Sequence, residues 1–252
     1  MTISGRLYLA YNLALEDLRE RYRRSLIGLF WIPIGFLVFA ATKIFIFGSV
    51  IKGTGSNFGP WLIIGLAVWY FISPSITDGT QVYVKSKSWI MSSDLPYSTY
   101  IFQTVIKNII NFLILLAPVT IIISILGVKF SFLFFIMFVI LLILLTGSAV
   151  GVGLLLAPIC VHYRDLIHLF DTMMRVMIFA TPIIWVPIKG EITELIANIN
   201  PFYHYIQLVR QPLLENTAPT SSLIICVALT VGVITAGFFV NQAYYRSISI
   251  RV

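Results

Sequence analysis

Six stretches of the chain are apolar over a length that can cross a membrane, at about 28–51, 60–82, 101–126, 131–156, 171–188 and 219–242. A helix needs about 20 mostly apolar residues to cover about 30 Å of hydrocarbon, so the pattern predicts six transmembrane helices. The third and fourth are separated only by Gly127, Val128, Lys129 and Phe130, which predicts a tight antiparallel hairpin. The fifth carries Asp171, Arg175 and Pro182 within it.

Two flanking stretches show a helical period without being apolar throughout. Leu7, Tyr11, Leu15, Leu18, Tyr22 and Leu26 recur at the spacing of one helical face, while Asp17 with Arg21 and Glu20 with Arg24 form pairs four residues apart. This predicts an amphipathic helix over 1–27 lying in the membrane interface, its arginines near anionic head groups. Between the fifth and sixth spans, at about 189–218, Ile192, Leu195, Ile196 and Ile199 form one stripe, and Phe202, Ile206, Val209 and Leu213 form another. Asn200 suits a helix cap and Pro201 a first helical position, so two short helices are expected there, broken between Ile199 and Pro201. The fold class is then an all-α integral membrane protein forming a single transmembrane domain over 1–252. Its parts are the interface helix, spans one to five over 28–188, the helical pair, and span six with a tail over 219–252.

Composition strengthens this reading. The 252 residues are 59% hydrophobic and 11% charged, against roughly 25% charged in soluble domains, and the mean hydropathy is +0.95. The net charge of +7 is spread thinly along the chain, which argues against nucleic acid as a partner. Its distribution sets sidedness. With the N-terminus inside, the cytoplasmic pieces hold Arg6, Arg19, Arg21, Arg23, Arg24, Lys85, Lys87, Arg164, Arg246 and Arg251, and the external pieces only Lys52, Lys129, Lys189 and Arg210. Both termini are expected in the cytoplasm. The first 27 residues are charged and lack a central apolar stretch, so no cleavable signal is expected. Cys160 and Cys226 lie far apart in apolar surroundings and read as buried thiols.

Charges inside spans are functional candidates by default. Lys43 and Lys107 sit close enough to span ends for their stems to reach the interface, Asp78 lies near the inner end of span two, and Asp171 with Arg175 makes a pair of suitable sign. No carboxylate falls in mid-membrane by this reading, which argues against an ion-coupled carrier. His162, Asp165, His168 and Asp171 recur at three-residue steps, but polar contacts and helix capping in a loop account for them better than a metal. Glu191 and Glu194 read as solvated surface rather than an acid and base pair. Aromatics are the remaining candidates: Trp31, Trp69, Tyr70, Phe71 and Trp185 offer faces that stack on sugar rings, the alternative being an interfacial belt. Trp31 is near the inner edge and suits the belt; Tyr70 is nearer mid-span and is the stronger channel candidate.

Four runs occur in order: RYRRSLIGLFWIPI at 21–34, YRDL at Tyr163–Leu166, TPIIW at Thr181–Trp185, and NPFYHYIQLVRQPLL at Asn200–Leu214. Together they resemble the membrane subunits of polysaccharide-exporting ABC transporters, the O-antigen, capsule and teichoic acid permeases. The resemblance implies a homodimer of half-channels exporting a lipid-linked polysaccharide across the cell (inner or plasma) membrane, each half binding one copy of a separate ATPase. This chain has no G-x-x-x-x-G-K-[ST] loop, so it carries no cofactor of its own, and ATP and magnesium belong to that partner. The resemblance also implies ATPase-coupling positions at Arg19, Arg21, Tyr22, Arg23 and Arg24, in the loop about 83–100 with Lys85 and Lys87, and at Tyr163, Arg164 and Asp165. It casts Pro201, Phe202, Ile206, Val209 and Leu213 as an external gate. The alternatives are a permease for drugs or other small hydrophobic molecules, with the same six-span architecture, and a membrane-embedded glycan transferase, for which the chain offers no convergent carboxylates or histidines.

Overall fold

The computed structural model describes residues 3–48, 58–93 and 95–251; of Arg246 and Arg251 only the backbone is described. The end of the first predicted span at 49–51, Lys52 and position 94 of the loop 83–100 lie outside the described residues. Among the described residues the regular structure is entirely helical: α1 (Ile3–Arg21), a 3-10 turn at Gly28–Phe30, α2 (Trp31–Gly48), α3 (Phe58–Lys85), α4 (Lys87–Ser92), α5 (Ser98–Ile125), α6 (Phe132–His162), α7 (Asp165–Ala180), α8 (Ile192–Ile199), α9 (Pro201–Leu214) and α10 (Thr220–Arg251). Five segments among them are long and apolar enough to cross a membrane, containing α2, α3, α5, α6 and α10.

The predicted fifth span, 171–188, is where sequence and structure part. Its helix, α7, has 16 residues and stops at Ala180, about 24 Å at 1.5 Å per residue, shorter than the five long apolar segments. Pro182 explains the stop. It lacks an N–H and pushes the preceding residue out of helical geometry, and Thr181 is indeed extended, at φ −86° and ψ 136°. The chain then runs irregularly to α8. The carbonyls released at this end find side chains: Trp185 Nε1 donates to Phe179 O at 2.9 Å, Asn200 Nδ2 to Ala180 O at 3.3 Å, and Arg210 Nη1 to Pro182 O at 2.9 Å. Irregular backbone among apolar helices is stable only when its polar groups are satisfied in this way.

Asn200 serves two helices. Its side-chain oxygen accepts from Phe202 N at 2.9 Å and caps α9, with Pro201 at the first turn as predicted, while its amide holds the end of α7. The two amphipathic stripes part company here. On α8, Ile192, Leu195, Ile196 and Ile199 are all exposed. On α9, Ile206, Val209 and Leu213 are buried, and the helix packs against α3, α6 and α10. Its polar residues are buried as well. His204 bonds Ser222 Oγ and Asn198 O, and the Tyr205 hydroxyl meets Ser148 of α6 at 2.7 Å and Thr230 of α10 at 3.0 Å. Arg210, read from sequence as an external loop charge, is 1% exposed.

The core lies around α3, where Leu62 to Trp69 are buried without a break and which touches α2, α5, α6, α7 and α9. In lipid the apolar effect does not draw helices together, so close van der Waals fit and internal hydrogen bonds must do so. The α6 and α10 pair shows this most plainly, with Gly237 of α10 seated on the Gly151 backbone of α6.

The N-terminal helix departs from its predicted face and length. It ends at Arg21, and Tyr22–Arg24 form a turn with Arg24 at φ +70°. Ala10, Ala14 and Leu18 form the buried face, against α5, while Leu7, Tyr11 and Leu26 are exposed. Small alanines let two helix backbones approach closely, which the larger stripe residues would not. Arg24 has left the helix, so the expected pair with Glu20 four residues back is not built, and Asp17 turns to Lys107 rather than to Arg21.

Candidate functional site: an aromatic and polar groove above a basic end

On α3 the residues Trp69, Ser73, Thr77 and Gln81 follow one another at steps of four and form a single face. That face looks into an open groove of about 550 Å³, walled on one side by Phe39 and Lys43 of α2 and on the other by Asp171, Arg175 and Phe179 of α7. Gln81 Nε2 donates to Asp171 Oδ2 at 3.4 Å and ties α3 to α7 across the groove. Asp171 therefore faces Gln81, where the sequence paired it with Arg175. The Lys43 ammonium lies 5.2, 5.5 and 5.6 Å from the ring centres of Phe39, Phe47 and Phe179, within cation–π range. It lines the groove rather than merely reaching for the interface. Flat aromatic walls with hydroxyl, amide and charged groups between them suit a ligand with apolar faces and polar edges.

The sequence-predicted aromatics are distributed unevenly about this groove. Trp69 lines it, and its ring meets Phe202 of α9 edge-on at 5.5 Å, so a channel candidate and a gate candidate touch. Tyr70 is half-buried and packs edge-on against Phe36 of α2 at 5.2 Å. Phe71 is buried against Phe112 of α5 at 5.5 Å. Trp31 is exposed at the start of α2, and Trp185 lies past the end of α7, bonded to Phe179 O. Ser73, Thr77, Gln81 and Lys43 were missed as site residues. Their signal was present: polar residues recurring every fourth position inside an otherwise apolar span mark a face that avoids lipid.

A second surface gathers at one end of the bundle. Tyr83 near the end of α3 meets Tyr97 before α5, Tyr97 meets Tyr245 of α10 at 4.9 Å, and His162 at the end of α6 meets Tyr244 at 4.7 Å. Tyr83 also donates to Asn241 Oδ1 of α10 at 3.1 Å. These contacts bring the same end of four helices together, and α1 docks beside them on α5. Arg19, Arg21, Arg23, Arg24, Lys85, Lys87, Tyr163, Arg164 and Asp165 are all exposed, and Tyr22 is half-buried. Of the predicted coupling residues, Lys85, Lys87, Tyr163, Arg164 and Asp165 lie at the end where α3 and α6 finish and α5 begins, while Arg19, Arg21, Tyr22, Arg23 and Arg24 lie at and just past the end of α1, which packs on α5.

Residues 11–214, from within α1 to the end of α9, match the family described as ABC-2 type transporter. The chain belongs to that family. It is a multi-pass membrane protein and an ABC transporter permease, and it is similar to curated permeases of O-antigen export systems. An O-antigen export system permease protein RfbA of Myxococcus xanthus is 22% identical over 177 residues, covering 70% of this chain and 68% of the relative. One of the same name from Klebsiella pneumoniae is 24% identical over 170 residues, covering 68% of this chain and 66% of the relative.

Proposed function

We propose that this permease exports a lipid-linked, O-antigen-like polysaccharide across the inner or plasma membrane as a homodimer, each copy bound by a separate ATPase that holds ATP and magnesium. The whole chain acts as a single transmembrane domain with both termini cytoplasmic. The observation that carries the reading is the groove on α3. Trp69, Phe39 and Phe179 line it with aromatic rings, and Ser73, Thr77, Gln81, Asp171 and Arg175 place hydrogen-bonding groups beside them, the mixture a sugar chain calls for and a greasy drug does not. The groove is open to one side of the chain, and a second copy facing it would close a conduit. The names of the relatives and the order of the four sequence runs point the same way. α9 with Phe202 against Trp69 then serves as the external gate, and the basic end receives the ATPase.

Three results test this. In proteoliposomes carrying the permease with its ATPase, lipid-linked glycan will stimulate ATP hydrolysis and small hydrophobic drugs will not; the reverse order of stimulation sinks the polysaccharide reading. Trp69→Ala will slow polymer export about tenfold, in line with loss of stacking worth about 1–1.5 kcal/mol, with dimer assembly unchanged, and unaltered export will remove Trp69 from the conduit. Charge reversal at the basic end, Arg21→Glu with Arg24→Glu, will lower ATPase retention on the purified permease at least fivefold while membrane insertion stays intact. Full retention will exclude these arginines from docking.

A further inference from the structure

Lys107 is nine-tenths buried on α5, about 13 Å along the helix from Ser98 at 1.5 Å per residue. From sequence it was a lysine that stretches to the interface. Instead its ammonium lies 3.5 Å from Asp17 of α1 and 3.4 Å from Asp78 of α3, and Asp78 in turn holds Lys85 at 3.3 Å. A single buried cation thus joins three elements that are distant in sequence. One of them, α1, is outside the five spanning segments and carries the exposed arginines. Another, α3, carries the groove face: Asp78 follows Thr77 and precedes Gln81. Among the described residues α1 packs mainly against α5, through Ala10, Ala14 and Leu18.

We propose that Lys107 is a positioning residue for transport, the joint through which displacement of α1 reaches the groove face of α3. This rests on the export reading, in which an ATPase pushes on the basic end. Charge at Lys107 is what the joint needs. An ion pair away from bulk water resists separation more than an exposed one, and losing one partner strands the other only if nothing else serves it. Here removal of Lys107 strands neither carboxylate, because Asp78 keeps Lys85 and the Asp17 side chain is half exposed. Lys107→Met therefore leaves a folded chain whose α1 has lost this ion pair and keeps the apolar packing of Ala10, Ala14 and Leu18.

The test has two arms. In the first, the permease alone in nanodiscs carries a spin label at Glu16, an exposed position of α1. Lys107→Met and Asp17→Asn will each raise label mobility, and Lys107→Arg will restore the wild-type spectrum. Identical spectra in all four proteins overturn the joint. In the second, the permease with its ATPase in proteoliposomes is scored for polymer exported per ATP hydrolysed. Lys107→Met will retain hydrolysis within twofold and lose at least fivefold in export per ATP, Lys107→Arg will keep the wild-type ratio, and Asp78→Asn, which leaves α1 docked, will lower the ratio without changing the label spectrum. An unchanged ratio in Lys107→Met, or hydrolysis and export falling together, overturns the transmission role. A wild-type chain that binds no ATPase overturns the export reading and the transmission step with it, while the first arm still decides whether Lys107 holds α1.

Discussion

Gly65→Ala will unseat the Arg210 guanidinium, destabilise the chain by about 2–4 kcal/mol through the lost charged hydrogen bonds and ring contact, and recover most of that loss when Arg210→Met is added. The reason is spatial. An alanine Cβ at Gly65 falls on Arg210 Nη2, well inside any van der Waals contact, and Ile183 stands 3.4 Å away on the other flank. A surface arginine would swing aside, but this one is held by Trp61 O and Pro182 O, each at 2.9 Å, with its guanidinium carbon 3.6 Å from the centre of the Trp61 ring. Displacing it breaks three attachments at once. It also frees the bend after α7 from α9 and from the first turn of α3. Arg210→Met alone will cost less than Gly65→Ala alone, because it removes a buried charge along with the bonds that charge makes. The double variant, with room restored, will be more stable than Gly65→Ala. Thermal unfolding of the four proteins in detergent gives the coupling directly, and simple additivity will refute the steric account.

Arg210 also shows what a sequence conceals. Four of the five segments long and apolar enough to span, and the hairpin, were legible from hydropathy to within a few residues, apart from C-terminal ends that α6 and α10 carry further, and the first from its start to Gly48, because length and apolarity suffice to recognise such a segment. The break between α8 and α9 was legible too, since Asn200 and Pro201 act on their immediate neighbours. The fifth span differs from α7 in its bounds because the apolar count ran across Pro182, whose backbone effect outweighs the hydropathy of Ile183 and Ile184. The buried charges were misread for a different reason. Lys107 was judged by distance to a span end and Arg210 by falling between two spans, whereas their partners, Trp61, Asp17 and Asp78, lie far along the chain and are brought near only by packing. The groove failed similarly. Tyr70 was favoured for its depth in the membrane, but depth does not fix which way a helical residue faces, and the face of α3 was set by the fourfold recurrence from Trp69 to Gln81. Trp69 itself was among the candidates, and its contact with Phe202 joins two predicted groups that no local pattern connects.

The largest single effect is expected at the crossing of α6 and α10. A Cβ on Gly237 lies 2.5 Å from Gly151 O, 2.9 Å from Leu154 Cβ and 3.1 Å from Leu155 N. Two of these are backbone atoms of a helix, which no rotamer change can move. Gly237→Val must therefore separate the helices, and the cost will be about 3 kcal/mol or more, at the upper end for overpacking, since close approach of small residues is what binds helices in lipid. The consequences extend beyond the pair. α10 also supplies Thr230 to the hydroxyl cluster with Ser148 and Tyr205, and Asn241 to Tyr83, so splaying it loosens α9 at one end and the basic surface at the other. Gly232 provides the control. It is on the same helix with nothing within 4 Å of its would-be Cβ, and Gly232→Ala will be neutral or stabilising by about 0.5–1 kcal/mol, the ordinary gain of replacing a mid-helix glycine. Melting temperature and polymer export measured side by side will show Gly237→Val losing both and Gly232→Ala losing neither. Equal behaviour of the two variants will mean that the glycine contact does not hold α10 to α6.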